Sequence, residues 1–367
     1  MRKIKRMLTQ VLVGVMICLL ASPYIASAAS QQSEAVNLEQ AIDLATNKST
    51  AVTLIDQKIK NAQSRLDYAI RNASIRLNDS WTTDEYRKQL KTDIELAPVQ
   101  KRNTFLVLKL QKAEKINSLK MDVTKAYFTY LMIQEQLTSQ DKAIERLKKK
   151  LEVVNAQVAS GMANKSAISN MEVAIKSAEQ QKAMFARDLS NTSINLNSLW
   201  DRPIKSPIEL ISQEIPVLEL DIKLEELIDK KIASSSAVLR ALNTEAEAKI
   251  EYNITNFSSI KEMPDGVEQA ENKLLNASYD YKNLLKNMEY NVLNDYNNLL
   301  NLKDDVDIKK LQVEVSEKEL KKAKAEYDMG LTDIITYNSK IQSNEDSIIG
   351  YKKAQLDYFI AAVVFKN

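Results

Sequence analysis

The sequence predicts an all-α fold: an elongated coiled-coil bundle of long antiparallel helices built from two internal repeats. Three observations predict it. Glycine and proline are scarce, five and six in 367 residues, where average usage would give about 26 and 18. Apolar residues recur at every seventh position over long stretches. The chain also overlays on itself when displaced by 169 residues. A chain so poor in turn formers has few places to break its helices, so the helices are long.

The N-terminus, "MRKIKRMLTQVLVGVMICLLASPYIASAAS", sets Arg2, Lys3, Lys5 and Arg6 before the apolar run Val11 to Leu20 and the small-residue site Ala26-Ser27-Ala28. This is the pattern of a secretory signal peptide, residues 1–28, cut after Ala28. Cys18 lies inside the apolar run after Ile17, whereas a lipid-attachment cysteine follows a small residue. Beyond residue 28 the chain has neither cysteine nor histidine. Disulfides, thiolate chemistry and imidazole ligands or bases are therefore excluded there. Without the leader's four basic residues, acidic and basic side chains nearly balance. That balance implies no basic face for nucleic acid.

The repeats occupy residues 29–200 and 218–367, joined by a Pro-containing linker, 201–217. In the long helices Val123, Tyr130, Leu137, Ile144, Leu151 and Val158 overlay on Val292, Leu299, Val306, Val313, Leu320 and Tyr327. Gly161 falls on Gly330. "NLEQAID" at 37–43 falls on "KLEELID" at 223–229, and "AQSRLDYAI" at 62–70 on "AEAKIEYNI" at 246–254. Sustained heptads of this kind make a coiled-coil seam. At 1.5 Å per residue, predicted long helices over 102–160 and 267–329 run about 90 and 95 Å. Helices predicted over 224–254 and 333–365 would together match the long helix between them, pairing a continuous rod with a broken one. Tyr and Met at heptad positions are assigned to packing, and stretches such as "ERLKKKLE" to solvated faces with i to i+4 ion pairs.

These residues also carry a family resemblance. "AEYDMGLTDIITYNSKIQSNEDSIIGYKKAQLDYFIAAVVF" resembles the C-terminal signature of the TolC-like outer-membrane efflux proteins, and "NAQVASGMANKSAISNMEVAIKSAEQQKAMFARDLSNTSINLNSLW" looks like the same signature in the first half. "VTKAYFTYLMIQEQL" at 123–137 is similar to that family's long-helix segment. The resemblance implies an exported homotrimer whose helices enclose a hollow cylinder. It implies service as the exit duct of an efflux pump or type I secretion system, with a membrane-fusion adaptor and an inner-membrane or ABC exporter as partners. It further implies that the Gly hairpins form a tip where an adaptor docks. Carried across, the docking residues are Ser160, Gly161 and Met162 in the first repeat, and Asp328, Met329, Gly330, Leu331 and Asp333 in the second. No cofactor, no metal and no nucleic acid enters this reading.

The sequence departs from the family at two places. The family inserts two transmembrane strands per repeat, and a spanning strand needs about 9–11 alternating residues. "TNFSSIKEMPDG" at 255–266 is too short for a pair. The 32 residues at 71–102 are long enough but carry 12 charges, and each charge facing lipid costs about 2–4 kcal/mol near the midplane. The strands are therefore predicted absent, with helical or irregular caps in their place. After the second tip glycine stand Thr332, Thr336 and Ser339, where the best-studied branch carries an arginine and acidic residues. A charge-gated cation constriction is not expected.

Two functions follow as expectations: a non-enzymatic duct or adaptor-docking component of an exporter in the cell envelope, or a secreted structural rod or interaction protein without transport activity. Catalysis is not expected. The carboxylates lie on exposed helix faces with no apolar pocket to shift them.

Overall fold

The computed structural model describes residues 35–80, 83–216, 218, 223–257 and 264–366. The expected signal peptide lies outside them. Among the described residues nine α-helices follow in order: α1 Leu38–Asn47, α2 Thr50–Arg76, α3 Asp84–Lys91, α4 Ala97–Ala159, α5 Lys165–Leu199, α6 Leu224–Ser234, α7 Ser236–Thr255, α8 Pro264–Asp328 and α9 Ile334–Lys366. A π-helical turn, Thr92–Leu96, joins α3 to α4. Among the described residues there is no strand, only an isolated parallel bridge between Val36 and Leu210.

The long helices are α4, 63 residues, and α8, 65 residues. They begin a few residues before the predicted starts at 102 and 267. Pro98 explains the first: proline in a first turn loses no hydrogen bond and has its φ already set. Of the twelve aligned heptad residues, all but Tyr327 are buried or half-buried. Toward the end of α8 the seam narrows to Ser316 and Ala323, small enough for close approach to α9.

Each long helix is accompanied by shorter ones. The helices α2 and α5 pack along α4, and α6, α7 and α9 pack along α8. On its other side α4 meets α7 and α9. The rods therefore run in the order broken (α2 with α5), continuous (α4), broken (α7 with α9), continuous (α8).

One expectation is corrected. Residues 224–254 are not one helix, because the chain breaks at Ser235, whose backbone is extended and whose hydroxyl accepts from Val238 N at 3.2 Å. The same break separates α1 from α2, where the Ser49 hydroxyl accepts from Val52 N at 3.3 Å. Serine favours an N-cap because its side chain satisfies an N–H that the first helical turn leaves free.

In the first half, the segment weighed for spanning strands is helical over residues 84–102. Arg76 pairs with Asp93 at 2.5 Å, tying the end of α2 to the π-turn. Half of the corresponding segment in the second half, residues 258–263 of 255–266, lies outside the described residues.

The core sits where the linker crosses the helices. Ala41, Ala45, Val123, Tyr127, Phe128, Leu196, Trp200 and Phe359 form one buried cluster, and Leu227, Val292, Leu299, Tyr358, Ala362 and Phe365 form a second. The Phe128 and Phe359 rings meet edge to face at 5.6 Å, joining α4 to α9. Trp200 donates its indole N–H to Ala41 O at 2.9 Å. Residues 201–215 form a strap across α4. Tyr127 donates its hydroxyl to Ile211 O at 2.6 Å, and Tyr130 to Ile208 O at 3.2 Å. Each tyrosine buries its ring and places its hydroxyl on a strap carbonyl that would otherwise lose its hydrogen bond to water.

Candidate functional site

Both long helices end in the same main-chain geometry. In the first tip Gly161, at φ +76°, donates to Val158 O at 3.1 Å, and Met162 donates to Gln157 O at 2.8 Å. In the second Gly330, at φ +71°, donates to Tyr327 O at 2.9 Å, and Leu331 donates to Glu326 O at 2.8 Å. The paired bonds, 5→2 and 6→1, make each turn a Schellman cap. Left-handed backbone at the residue after the cap is what requires glycine.

A Schellman cap usually packs its last apolar residue onto the one five positions earlier. Here those earlier positions hold Gln157 and Glu326, and the apolar residues project instead: Met162 is 81% exposed and Leu331 is 73% exposed. Met329, the cap residue itself, is 64% exposed. The cap accounts for the glycines but not for their apolar neighbours.

The helices leaving the tips start differently. Asn164 accepts from Ser166 N at 3.2 Å, whereas Asp333 accepts from Thr336 N at 2.7 Å. The Asp333 carboxyl is held below its usual range, chiefly by the hydrogen bonds from Thr336, with Lys150 adding a favourable charge. Asp333 is thus committed as an N-cap, although still exposed. Asp328 is exposed in the last turn of α8, and Ser160 turns its hydroxyl back to Ala156 O and Gln157 O, each at 3.0 Å.

The two tips lie at one end of the bundle, in register. Arg146 on α4 grips Glu345 on α9, with Nη2 to Oε2 at 2.7 Å and Nη1 to Oε1 at 3.3 Å. The same guanidinium donates to Gln342 Oε1 at 2.7 Å, and Ser139 donates to Glu345 Oε2 at 3.1 Å. Arg146 precedes Ser160 by as many residues as Glu345 follows Leu331. Both tips therefore stand about 21 Å beyond this pair. The influence of Lys150, on α4, at Asp333 agrees with that level.

Two features of the site escaped the sequence. Tyr327 leaves the seam and stacks on Tyr337 at 5.3 Å, with 11° between the rings, bracing the second hairpin. The ten-residue spacing of two aromatics across a Gly turn is a signal that could have found it. The Arg146–Glu345 grip carries no such signal, because it joins residues 199 apart in sequence.

Away from the tips, a cleft of about 930 Å³ opens between α4, the strap and α9, lined by apolar side chains such as Leu131 and Ile348 and by charged ones such as Glu135 and Lys352. Among the described residues no group of three His, Cys, Asp or Glu is placed to hold a metal ion. No described helix is long and apolar enough to cross a membrane.

No protein-family model matches the sequence, and no curated protein does. Solved structures match the fold closely along its length. A membrane protein from Pseudomonas aeruginosa superposes with a TM-score of 0.66 at 14% identity, over 90% of this chain and 92% of that one. The outer membrane channel CmeC of Campylobacter jejuni gives 0.63 at 12% identity, over 90% and 85%. The outer membrane protein VceC of Vibrio cholerae gives 0.62 at 13% identity, over 89% and 94%. Identities this low speak for architecture, and on that architecture the chain has the TolC-like helical fold.

Proposed function

We propose that copies of this chain close head to tail into a hollow ring of helices, which acts outside the cytoplasm as a passive, non-enzymatic component of an efflux or secretion system. The observation that carries this reading is a pair of unmatched edges. One edge of the rod array is the broken rod of α2 and α5; the other is the continuous rod α8. Joining them between copies continues the alternation of broken and continuous rods without a fault.

Both edges are apolar where a solvated helix would be polar. On α8, Tyr290, Leu293, Leu300, Ile308, Leu311 and Val315 are exposed, at the b, c and f positions of the heptads whose a positions hold Val292, Leu299, Val306 and Val313. On the opposite edge Leu54, Tyr68 and Ile75 of α2 and Val173, Met184 and Ile194 of α5 are exposed. A contact between two different faces repeats from copy to copy and closes when the rotation allows. Three copies would supply twelve rods, and the family resemblance favours that number.

In this reading the tips, Ser160, Gly161 and Met162 with Asp328, Met329, Gly330, Leu331 and Asp333, face a membrane-fusion adaptor of an inner-membrane or ABC exporter. The exposed Met162 and Leu331 offer it apolar knobs. The second reading is a secreted structural rod. It is favoured by the helical course of residues 84–102 where the family runs spanning strands.

The mass of the chain from residue 29 onward in solution separates the two. A closed trimer is expected by light scattering and native mass spectrometry. A protein that stays monomeric across micromolar to near-millimolar concentration would overturn the ring and leave the rod.

A further inference from the structure

We propose that the tips form an oxidation-sensitive surface, in which Met162 and Met329 are modification sites for a peroxide or hypohalous acid that turns the apolar docking end polar. The inference rests on the docking reading above. It is carried by where the methionines stand. Met162 and Met329, at 81% and 64%, are the most exposed methionines among the described residues, while Met171, in the next helix, is 9% exposed. Met121, Met132 and Met288 are half-buried, and Met184 lies on the α5 edge. One methionine adjoins each tip glycine.

The chemistry is a two-electron oxygen transfer. The thioether sulfur attacks the peroxide oxygen, the O–O bond breaks, one oxygen stays on sulfur as sulfoxide, and the other leaves as water. Sulfur is oxidised and peroxide is reduced. A flexible apolar side chain becomes polar and chiral without gaining charge, and the change is reversible by thiol-dependent sulfoxide reduction.

The two tips respond unequally. At the first, Met162 is the projecting apolar residue, so its oxidation removes the knob. At the second, Met329 precedes the glycine and Leu331 follows it, so an apolar group survives. The caps themselves use main-chain bonds, and oxidation leaves the hairpins folded.

The test has two arms. The purified chain from residue 29 is treated with hydrogen peroxide and sampled for peptide mass spectrometry and circular dichroism. Met162 and Met329 are expected to convert several-fold faster than Met171, with helicity unchanged. Equal rates would overturn the proposal. In producing cells, a photo-crosslinking amino acid placed at the exposed Lys165, three residues from Met162, reports what touches the first tip. Its adduct is expected to fall several-fold on peroxide treatment of the otherwise unaltered protein and to persist in the Met162→Leu, Met329→Leu double variant. An adduct that survives complete sulfoxide formation overturns the oxidation proposal and leaves docking intact. The absence of any adduct in untreated cells overturns docking itself, and the proposal with it.

Discussion

Asp201 Oδ2 accepts from both the main-chain N–H and the hydroxyl of Thr50, at 2.7 and 2.9 Å, across 151 residues of sequence. Thr50 is the first residue of α2, and its N–H is one of the donors that a helix start leaves free. The arrangement recurs in the second half. There Glu114 takes the N–H of Ser236, the first residue of α7, on Oε1 and its hydroxyl on Oε2, both at 2.7 Å. Thr50 and Ser236 are equivalent in the structure, each the first helical residue after a serine-capped break. The acceptors are not, since Asp201 lies on the strap and Glu114 on α4. Each broken rod is held at its break by a carboxylate from a neighbouring element, placed where the helix dipole favours negative charge.

Replacing Asp201 tests this latch. The residue stands at φ +50°, which Asn tolerates and Ala does not. Asp201→Ala is expected to cost about 1–2 kcal/mol, from the lost cap and the added backbone strain. Asp201→Asn keeps an acceptor and should cost less. Thermal unfolding followed by circular dichroism measures both. Equal midpoints for Asp201→Ala and the unaltered chain would dismiss the latch.

The same carboxylate predicts a pH dependence. The Thr50 hydrogen bonds hold the Asp201 pKa below its ordinary value. A carboxyl depressed in the folded state adds stability above its unfolded pKa, near 4, and loses it as pH falls through the folded value. The chain should therefore lose this contribution on acidification below about pH 4. In Asp201→Asn the loss between pH 5 and pH 3 should be smaller. Parallel pH profiles for the two proteins would exclude Asp201 as a source.

The reach of the sequence can be judged residue by residue. Gly161 and Gly330 were legible because a lone glycine between heptad runs has one physical use there. The seam was legible because a seven-residue period is written in every turn. The breaks at Ser49 and Ser235 were not, since serine is common on helix surfaces and caps only where the chain turns. The strap was hidden because Tyr127 and Tyr130 recognise its carbonyls, which carry no side-chain signature. The paired edges could not be read without the packing order, which shows that the b, c and f positions of α8 have no covering helix among the described residues.

Gly330→Ala is expected to destabilise the second tip by about 1 kcal/mol, because a Cβ is disfavoured at φ +71°. Space is not the cause: an added Cβ meets no atom within 4 Å. Leu331→Asp should leave the unfolding midpoint unchanged, since the side chain is exposed and the cap bonds are main-chain. A midpoint lowered by Leu331→Asp would mean that Leu331 belongs to the fold rather than to a docking surface.

The edges allow a sharper separation. Ile308 and Leu311 of α8 and Val173 of α5 are exposed in the single chain, so a charge at any of them costs the isolated subunit little. In a ring the same charge is buried against apolar residues of the next copy, where an unpaired charge costs several kcal/mol. Ile308→Glu, Leu311→Glu and Val173→Glu should each convert the assembly to monomers while keeping helicity and the monomer's unfolding midpoint. A mixture of Ile308→Glu and Val173→Glu chains is diagnostic, because each keeps one intact edge. Such chains can pair once, through Leu300 and Leu311 on one and Met184 and Ile194 on the other, but cannot close. Heterodimers without trimers are the expected species in native mass spectrometry. Trimers from either variant alone would show that the ring, if formed, uses other faces.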